Sequence, residues 1–196
     1  MRTLKTLSAL LFLVSTLSFS QTTWTVDKSH SKVGFSVSHL VITDVEGFFK
    51  DYDAQITTDG DDFSKAKIDF TIKTASIFTD NNDRDNHLRA DDFFNAEKYP
   101  AMTFKGKSMK KVGDKKYKLV GDLTIRDVTK QVELEVKYNG TVKDPWGNTK
   151  AGFKVKGEIN RFDYNLKWNK AIETGSLVVG KDVELVIDLQ LVKKSK

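Results

Sequence analysis

Residues 183–191, VELVIDLQL, carry an apolar side chain at every second position: Val183, Leu185, Ile187, Leu189 and Leu191. A strict period of two marks a strand with one face in a core and the other in water. The same pattern recurs through the chain. Val33, Phe35 and Val37 alternate with Lys32, Ser36 and Ser38, and Phe48, Tyr52, Ala54 and Ile56 share one phase. Ile68, Phe70 and Ile72 alternate with Lys67, Asp69, Thr71 and Lys73, and Met102 and Phe104 follow. Tyr117, Leu119, Leu123 and Ile125 face away from Lys118, Asp122 and Arg126. Val132, Leu134, Val136 and Tyr138 alternate with Glu133, Glu135 and Lys137; Phe153, Val155 and Ile159 alternate with Lys154, Lys156 and Glu158. Turn residues at Asp59-Gly60, Val112-Gly113-Asp114 and Asp144-Pro145-Trp146-Gly147-Asn148 separate neighbours. The reading is all-β, with eight antiparallel strands in an up-and-down barrel, which removes sheet edges. The competing immunoglobulin-like sandwich has no Cys…Trp…Cys signature here.

Two connections are too long for hairpins. Residues 83–106, DRDNHLRADDFFNAEKYPAMTFKG, place Ala90, Phe93 and Phe94 at helical spacing. Asn82 reads as the N-cap of an acidic first turn, and Tyr99-Pro100 as a stop near Lys98. This predicts a short helix that must hide two adjacent phenylalanines. Residues 160–180 predict a second short helix.

The first twenty residues read as a secretory signal peptide. Arg2 and Lys5 precede the apolar run Leu7–Phe19, and Ser18 and Ser20 sit at −3 and −1 of a cleavage site. The expected mature chain, residues 21–196, is one domain outside the cytoplasm. Losing Arg2 and Lys5 lowers the formal charge from +5 to +3, and the remaining lysines are spread among acids, so nucleic acid is not an expected partner. The 196 residues include no cysteine, which excludes disulfides and a cysteine-linked lipid.

An eight-stranded barrel is either filled by side chains or wide enough for one small ligand. Ala54, Gly106, Gly121, Ala151 and Gly157 fall in the inward register, where a packed core would carry Leu or Ile. They either leave room for a guest or mark bends and close backbone approach. Composition leaves both open. A hollow barrel lined this way suits an aliphatic or isoprenoid chain, not a sugar or nucleotide.

Constellations for catalysis are missing. The three histidines, His30, His39 and His87, have no metal-ligand spacing. Residues 80–91 carry Asp85 where a calcium loop needs glycine. The sequence contains neither a G-x-S-x-G elbow nor a P-loop. No enzyme, metal or cofactor is expected. An enzyme using His87 as a general base on a prenyl lipid is the alternative.

Six segments in order resemble the YceI-like family of periplasmic polyisoprenoid-binding proteins: WTVDKSHSKVGFSVSHL (24–40), VEGFFKDY (45–52), NHLRADDFFNAEKYPAMTFKG (86–106), LVGDLTIRDVTKQVEL (119–134), INRFDYNLKWN (159–169) and VVGKDVELVIDLQL (178–191). The resemblance implies an extended lipocalin-like barrel with a long apolar cavity for a polyprenol, polyprenyl phosphate, isoprenoid quinone or fatty-acid derivative. Asp127 and Asn165 stand where the family usually or often has glycine. Both residue types tolerate left-handed backbone.

The expected tunnel lining is Phe35, Val37, Phe70, Ile72, Phe93, Phe94, Met102, Phe104, Leu119, Leu123, Phe153, Val155, Leu185 and Ile187. His39, Arg84, His87, Arg89, Arg161, Trp168 and Asn169 are the candidates for meeting a polar head group. Expected partners are a long-chain amphiphile, a membrane in transient contact, and a second copy as a homodimer.

Overall fold

The computed structural model describes residues 21–194; the expected signal peptide lies outside the described residues. Eleven strands are present: β1 (Gln21–Val26), β2 (Lys32–His39), β3 (Thr43–Phe49), β4 (Tyr52–Asp59), β5 (Asp62–Lys73), β6 (Ile77–Phe78), β7 (Ala101–Gly113), β8 (Lys116–Ile125), β9 (Val128–Lys143), β10 (Thr149–Asn160) and β11 (Val179–Lys193). They build a closed antiparallel barrel of eight walls. The circuit runs β1-β4-β5-β7-β8-β9-β10-β11 and closes where β11 pairs with β1 at Val26↔Leu191.

Three walls are broken (β1/β2, β3/β4, and β5/β6 at the turn Thr74–Ser76), which is why eleven strands make eight walls. β1 and β2 both run along β11, one at Leu191–Lys193 and the other at Val179–Asp188. The turn Lys28–His30 separates them. Asp27 organises this break: its carboxylate accepts from Ser29, from Gln190 Nε2 at 2.9 Å and from Lys150 Nζ at 3.0 Å. The second break, Lys50–Asp51, separates β3 from β4 and is held by Ser76, whose carbonyl and hydroxyl accept from the two amides at 3.0 Å.

That break corrects the expected phase of one strand. Phe49, not Phe48, points inward with Tyr52, because the two intervening residues bend the chain and reset its alternation. Phe48 lies outside, edge-on to Phe78 at 5.3 Å, with Lys32 and Lys50 over the two rings.

The helix α1 (Asn82–Arg89) is shorter than the spacing predicts and begins one residue earlier, since Asn81 is the N-cap and accepts from Arg84 N at 2.9 Å. It stops at Ala90 instead of near Lys98, so Phe93 and Phe94 lie on the turn beyond it. Tertiary contacts override the local periodicity. Arg126 Nη1 sits 2.8 Å from Asp91 O, 2.7 Å from Phe93 O and 2.9 Å from Asn165 O, and this holds the chain in a non-helical path. In the second long connection the structure has a single 3-10 turn, Arg161–Tyr164. Asn165 is left-handed there at φ 62°. In the β8–β9 turn, however, Arg126 takes the positive φ of 55°, not Asp127. The Asn165 side-chain amide donates to Asp127 Oδ1 at 3.4 Å, so the two departures from the family pattern touch.

The barrel has a sealed end and an elaborated one. At the sealed end Phe63 packs on Trp24 at 5.0 Å and on Phe153 at 4.8 Å, with Tyr138 beside Phe153 at 5.2 Å. Trp24 is fully buried and donates its indole N–H to Thr58 Oγ1 at 2.9 Å. The other end carries α1, the β2–β3 turn and the 160–178 connection.

Candidate functional site

Above the aromatic floor the barrel is hollow. A chamber of about 210 Å³ is walled by residues of every strand except β1 and β6, and Arg161 is its one charged lining residue. The inward residues Phe35, Phe70, Ile72, Phe104, Leu185 and Ile187 are only half-buried although they point away from bulk water. Apolar side chains in a filled core would be covered by one another. Here the uncovered surface faces the void. Along β11 the regular stretch of the lining from Val183 to Leu191 is nine residues, eight steps or about 26 Å of strand at the usual rise.

All fourteen residues expected to line the tunnel stand on the wall of this chamber. Sequence reasoning missed several others, among them Phe49, Phe63, Ile68, Leu88, Val132 and Leu134. Ile68, Val132 and Leu134 lay in the inward phase already. Phe49 was hidden by the broken wall, and Leu88 by the helix that carries it.

The small inward residues do not themselves supply the space. A Cβ on Gly121 would stand 2.3 Å from Phe104 Cζ, and one on Gly157 2.4 Å from Leu134 Cδ2. These glycines admit the large side chains of neighbouring strands, which is the close-approach reading.

A second chamber, about 350 Å³, opens at the elaborated end. It shares Phe35, Val37, Leu88, Phe93 and Val179 with the first, so the two adjoin. Its polar lining is Ser38, His39, Asp83, Arg84 and His87, with Trp168 beside them. His87 meets Phe93 edge-on at 4.9 Å and Trp168 at 5.6 Å, and its Nε2 lies 2.8 Å from Asp92 Oδ2. Asp92 O in turn accepts from the amides of Lys167 and Trp168, both at 3.1 Å, which ties the turn after α1 to the second long connection.

The seven polar candidates divide. His39, Arg84, His87 and Trp168 line the mouth chamber. Arg84 spends two of its nitrogens on Thr79, at 2.7 Å to Oγ1 and 2.6 Å to the carbonyl. Buried Asp85 accepts from the Thr79 amide and hydroxyl at 2.8 and 2.6 Å, so Thr79 fixes the approach of α1. Arg89 lines neither chamber and donates to Ala75 O at 2.8 Å and Ile77 O at 2.9 Å. Asn169 is exposed outside both chambers. Arg161 is buried and donates to the carbonyls of Gly180, Leu166, Trp168 and Val179 at 2.7–3.0 Å. Burial pulls its pKa below the usual value for arginine. Among the described residues, no group of three His, Cys, Asp or Glu side chains is placed to hold a metal.

Comparison with known proteins accounts for this architecture. The YceI-like domain matches residues 24–191. The chain belongs to the YceI-like family. A UPF0312 protein of Staphylococcus aureus strain N315 is 40% identical over 164 residues, covering 83% of this chain and 93% of that protein. The YceI protein of Campylobacter jejuni is 40% identical, superposes with a TM-score of 0.68, and covers 87% of this chain and 97% of its own. Two more distant structures share the YceI-like fold. BcnA of Burkholderia cenocepacia superposes with a TM-score of 0.73 at 24% identity, over 84% of this chain and 98% of that one. A polyisoprenoid-binding domain from Saccharophagus degradans, implicated in plant cell wall breakdown, gives 0.62 at 18%, over 87% and 98%.

Proposed function

We propose that this protein is a non-enzymatic carrier or store for one long-chain lipid. The lipid is an isoprenoid such as a polyprenol, polyprenyl phosphate or isoprenoid quinone, and it works in the periplasm. The observation that carries the reading is the chamber wall: half-buried hydrocarbon side chains from nearly every strand facing one enclosed void. The polyisoprenoid-binding domain that shares the fold supports the choice of guest, and the signal-peptide character of residues 1–20 supports the compartment.

Burying a chain gains about 0.8 kcal/mol per methylene relative to water, offset by the ordering of the chain. Relative to a membrane the balance changes. Lipid tails are as apolar as the side chains of this wall, so transfer from bilayer to barrel is near neutral and runs in both directions. The polar chamber then meets the head group, with His39, Arg84 and His87 as donors and the Phe93–Trp168 pair as an apolar flank.

Organic extraction of protein purified from its own cell envelope, followed by mass spectrometry, tests this. The expected product is one class of prenyl lipid in near-stoichiometric amount. Repeated preparations without lipid would sink the carrier reading. The His87–Asp92 contact is the one geometry that favours a second reading, an enzyme acting on a prenyl lipid. Turnover of prenyl phosphates that disappears in His87→Ala would establish it.

A further inference from the structure

Five large apolar side chains stand exposed among the described residues, and they fall at the two ends of the barrel. Val112, Val142 and Trp146 mark the sealed end; Val41 and Ile42, at 67% and 79% exposure, mark the open one. The second pair belongs to the three-residue tip Leu40-Val41-Ile42 of the β2–β3 hairpin, above the pair His39↔Thr43.

This tip breaks two rules at once. Leu40 and Val41 take φ of +54° and +64°, a region that hairpin turns normally fill with Gly, Asn or Asp. For a β-branched residue such as Val41 it is a steric outlier. Val41 and its neighbour Ile42 also hold apolar surface in water where a polar side chain would be relaxed and solvated. Departures from local consistency of this kind concentrate at functional sites and persist only where the surroundings impose them. Here Leu40 N donates to Val178 O at 2.8 Å and Ile42 N to His39 O at 3.2 Å, so both flanks are pinned.

We propose that the Leu40–Ile42 tip is a membrane-docking element that enters the surface of a phospholipid bilayer and seats the cavity mouth against it. The proposal rests on the carrier reading for its purpose. The choice of a bilayer follows from continuity. His39 and Val178, which flank the tip, line the mouth chamber, so lipid that takes up the tip lies against the opening. A chain then passes between hydrocarbon wall and bilayer without crossing water. The sealed end has features that approach an anionic surface, since Lys116 faces Lys137 across β8–β9 and Trp146 is 82% exposed. Behind it, however, the floor of Trp24, Phe63 and Phe153 leaves no passage.

The test is co-sedimentation of the lipid-stripped mature chain with neutral phosphatidylcholine vesicles at physiological salt. Wild type is expected to bind, and Val41→Asn/Ile42→Thr to partition about tenfold less strongly. Val41→Asn alone is expected to hold or raise the thermal midpoint, because asparagine accepts the left-handed conformation. Trp146→Ser and Lys116→Glu are expected to bind as wild type does. The proposal is overturned if wild type ignores the vesicles or if the double variant binds equally. It is equally overturned if binding needs anionic lipid, fades with salt and follows Trp146 and Lys116. Because stripped protein is used, failure of wild type to retain any lipid would remove the carrier reading without changing this result.

Discussion

The ring of Phe93 stacks on the indole of Trp168, with centroids 5.6 Å apart and planes 26° from parallel. Phe93 borders both chambers, and Trp168 reaches it from the second long connection. Two irregular segments, distant in sequence, thus form one wall at the neck between the hollow barrel and its mouth. Arg126 fixes that wall from behind by binding Phe93 O at 2.7 Å and Asn165 O at 2.9 Å.

Phe93→Ala should therefore change retention more than folding. Truncating a buried phenylalanine costs about 3–5 kcal/mol; Phe93 is buried but borders both chambers, and the loss should fall at the low end of that range. Release of a bound fluorescent prenol should accelerate about tenfold. Phe94→Ala, which removes an edge contact to Phe49 at 6.0 Å, should act in the same direction. Full stability loss with unchanged release would make these residues ordinary core.

Arg161 makes a contrasting prediction. Its guanidinium satisfies four carbonyls and packs over Phe162 at 4.2 Å. Lysine has no planar fork to reproduce that pattern. Arg161→Lys should lower stability by about 2–3 kcal/mol in urea titration, with the fold retained.

Acid should act through Asp27. The Ser29 hydroxyl first, and then Lys150, Gln190 and His30, hold its carboxyl well below the usual carboxylate range. A carboxylate depressed in the folded state stabilises fully above its unfolded pKa, near 3.8, and loses that contribution as pH falls toward the folded value. Wild type and Asp27→Asn should thus differ by a constant amount in urea midpoint above about pH 5 and converge below about pH 4. A gap that widened in acid would contradict this assignment.

The glycines offer a test of wall geometry. A Cβ on Gly121 meets Phe104 at 2.3 Å and the carbonyl of Lys105 at 2.5 Å, so backbone as well as side chain must move. On Gly157 the close atom is the flexible end of Leu134. Gly121→Ala should cost about 1–3 kcal/mol and push Phe104 into the chamber, whereas Gly157→Ala should be the milder change. Thermal unfolding of the two variants checks the order.

Much of this was legible in the sequence, for a physical reason. A barrel wall imposes alternation on each strand by itself, so Phe35, Phe70 and Leu185 announce their direction from neighbouring residues. Direction fails to propagate through a break, and the bend at Lys50–Asp51 put Phe49 inside where alternation chose Phe48. The end of α1 was illegible because Arg126, more than thirty residues away in sequence, decides it. For the arginines, composition cannot separate a side chain that only caps carbonyls, as Arg89 does, from Arg84 and Arg161, which also border a chamber. The role of the inward glycines needed the strand register, since only a partner strand shows whether Phe104 or a guest takes the vacated space.

The central claim is that this hollow wall holds one apolar chain. Native mass spectrometry of the mature protein, purified without detergent from its own envelope, tests it most directly. The account predicts a discrete mass increment corresponding to one bound lipid, lost together with the fold on acid denaturation. Repeated spectra showing only the bare polypeptide mass would contradict it.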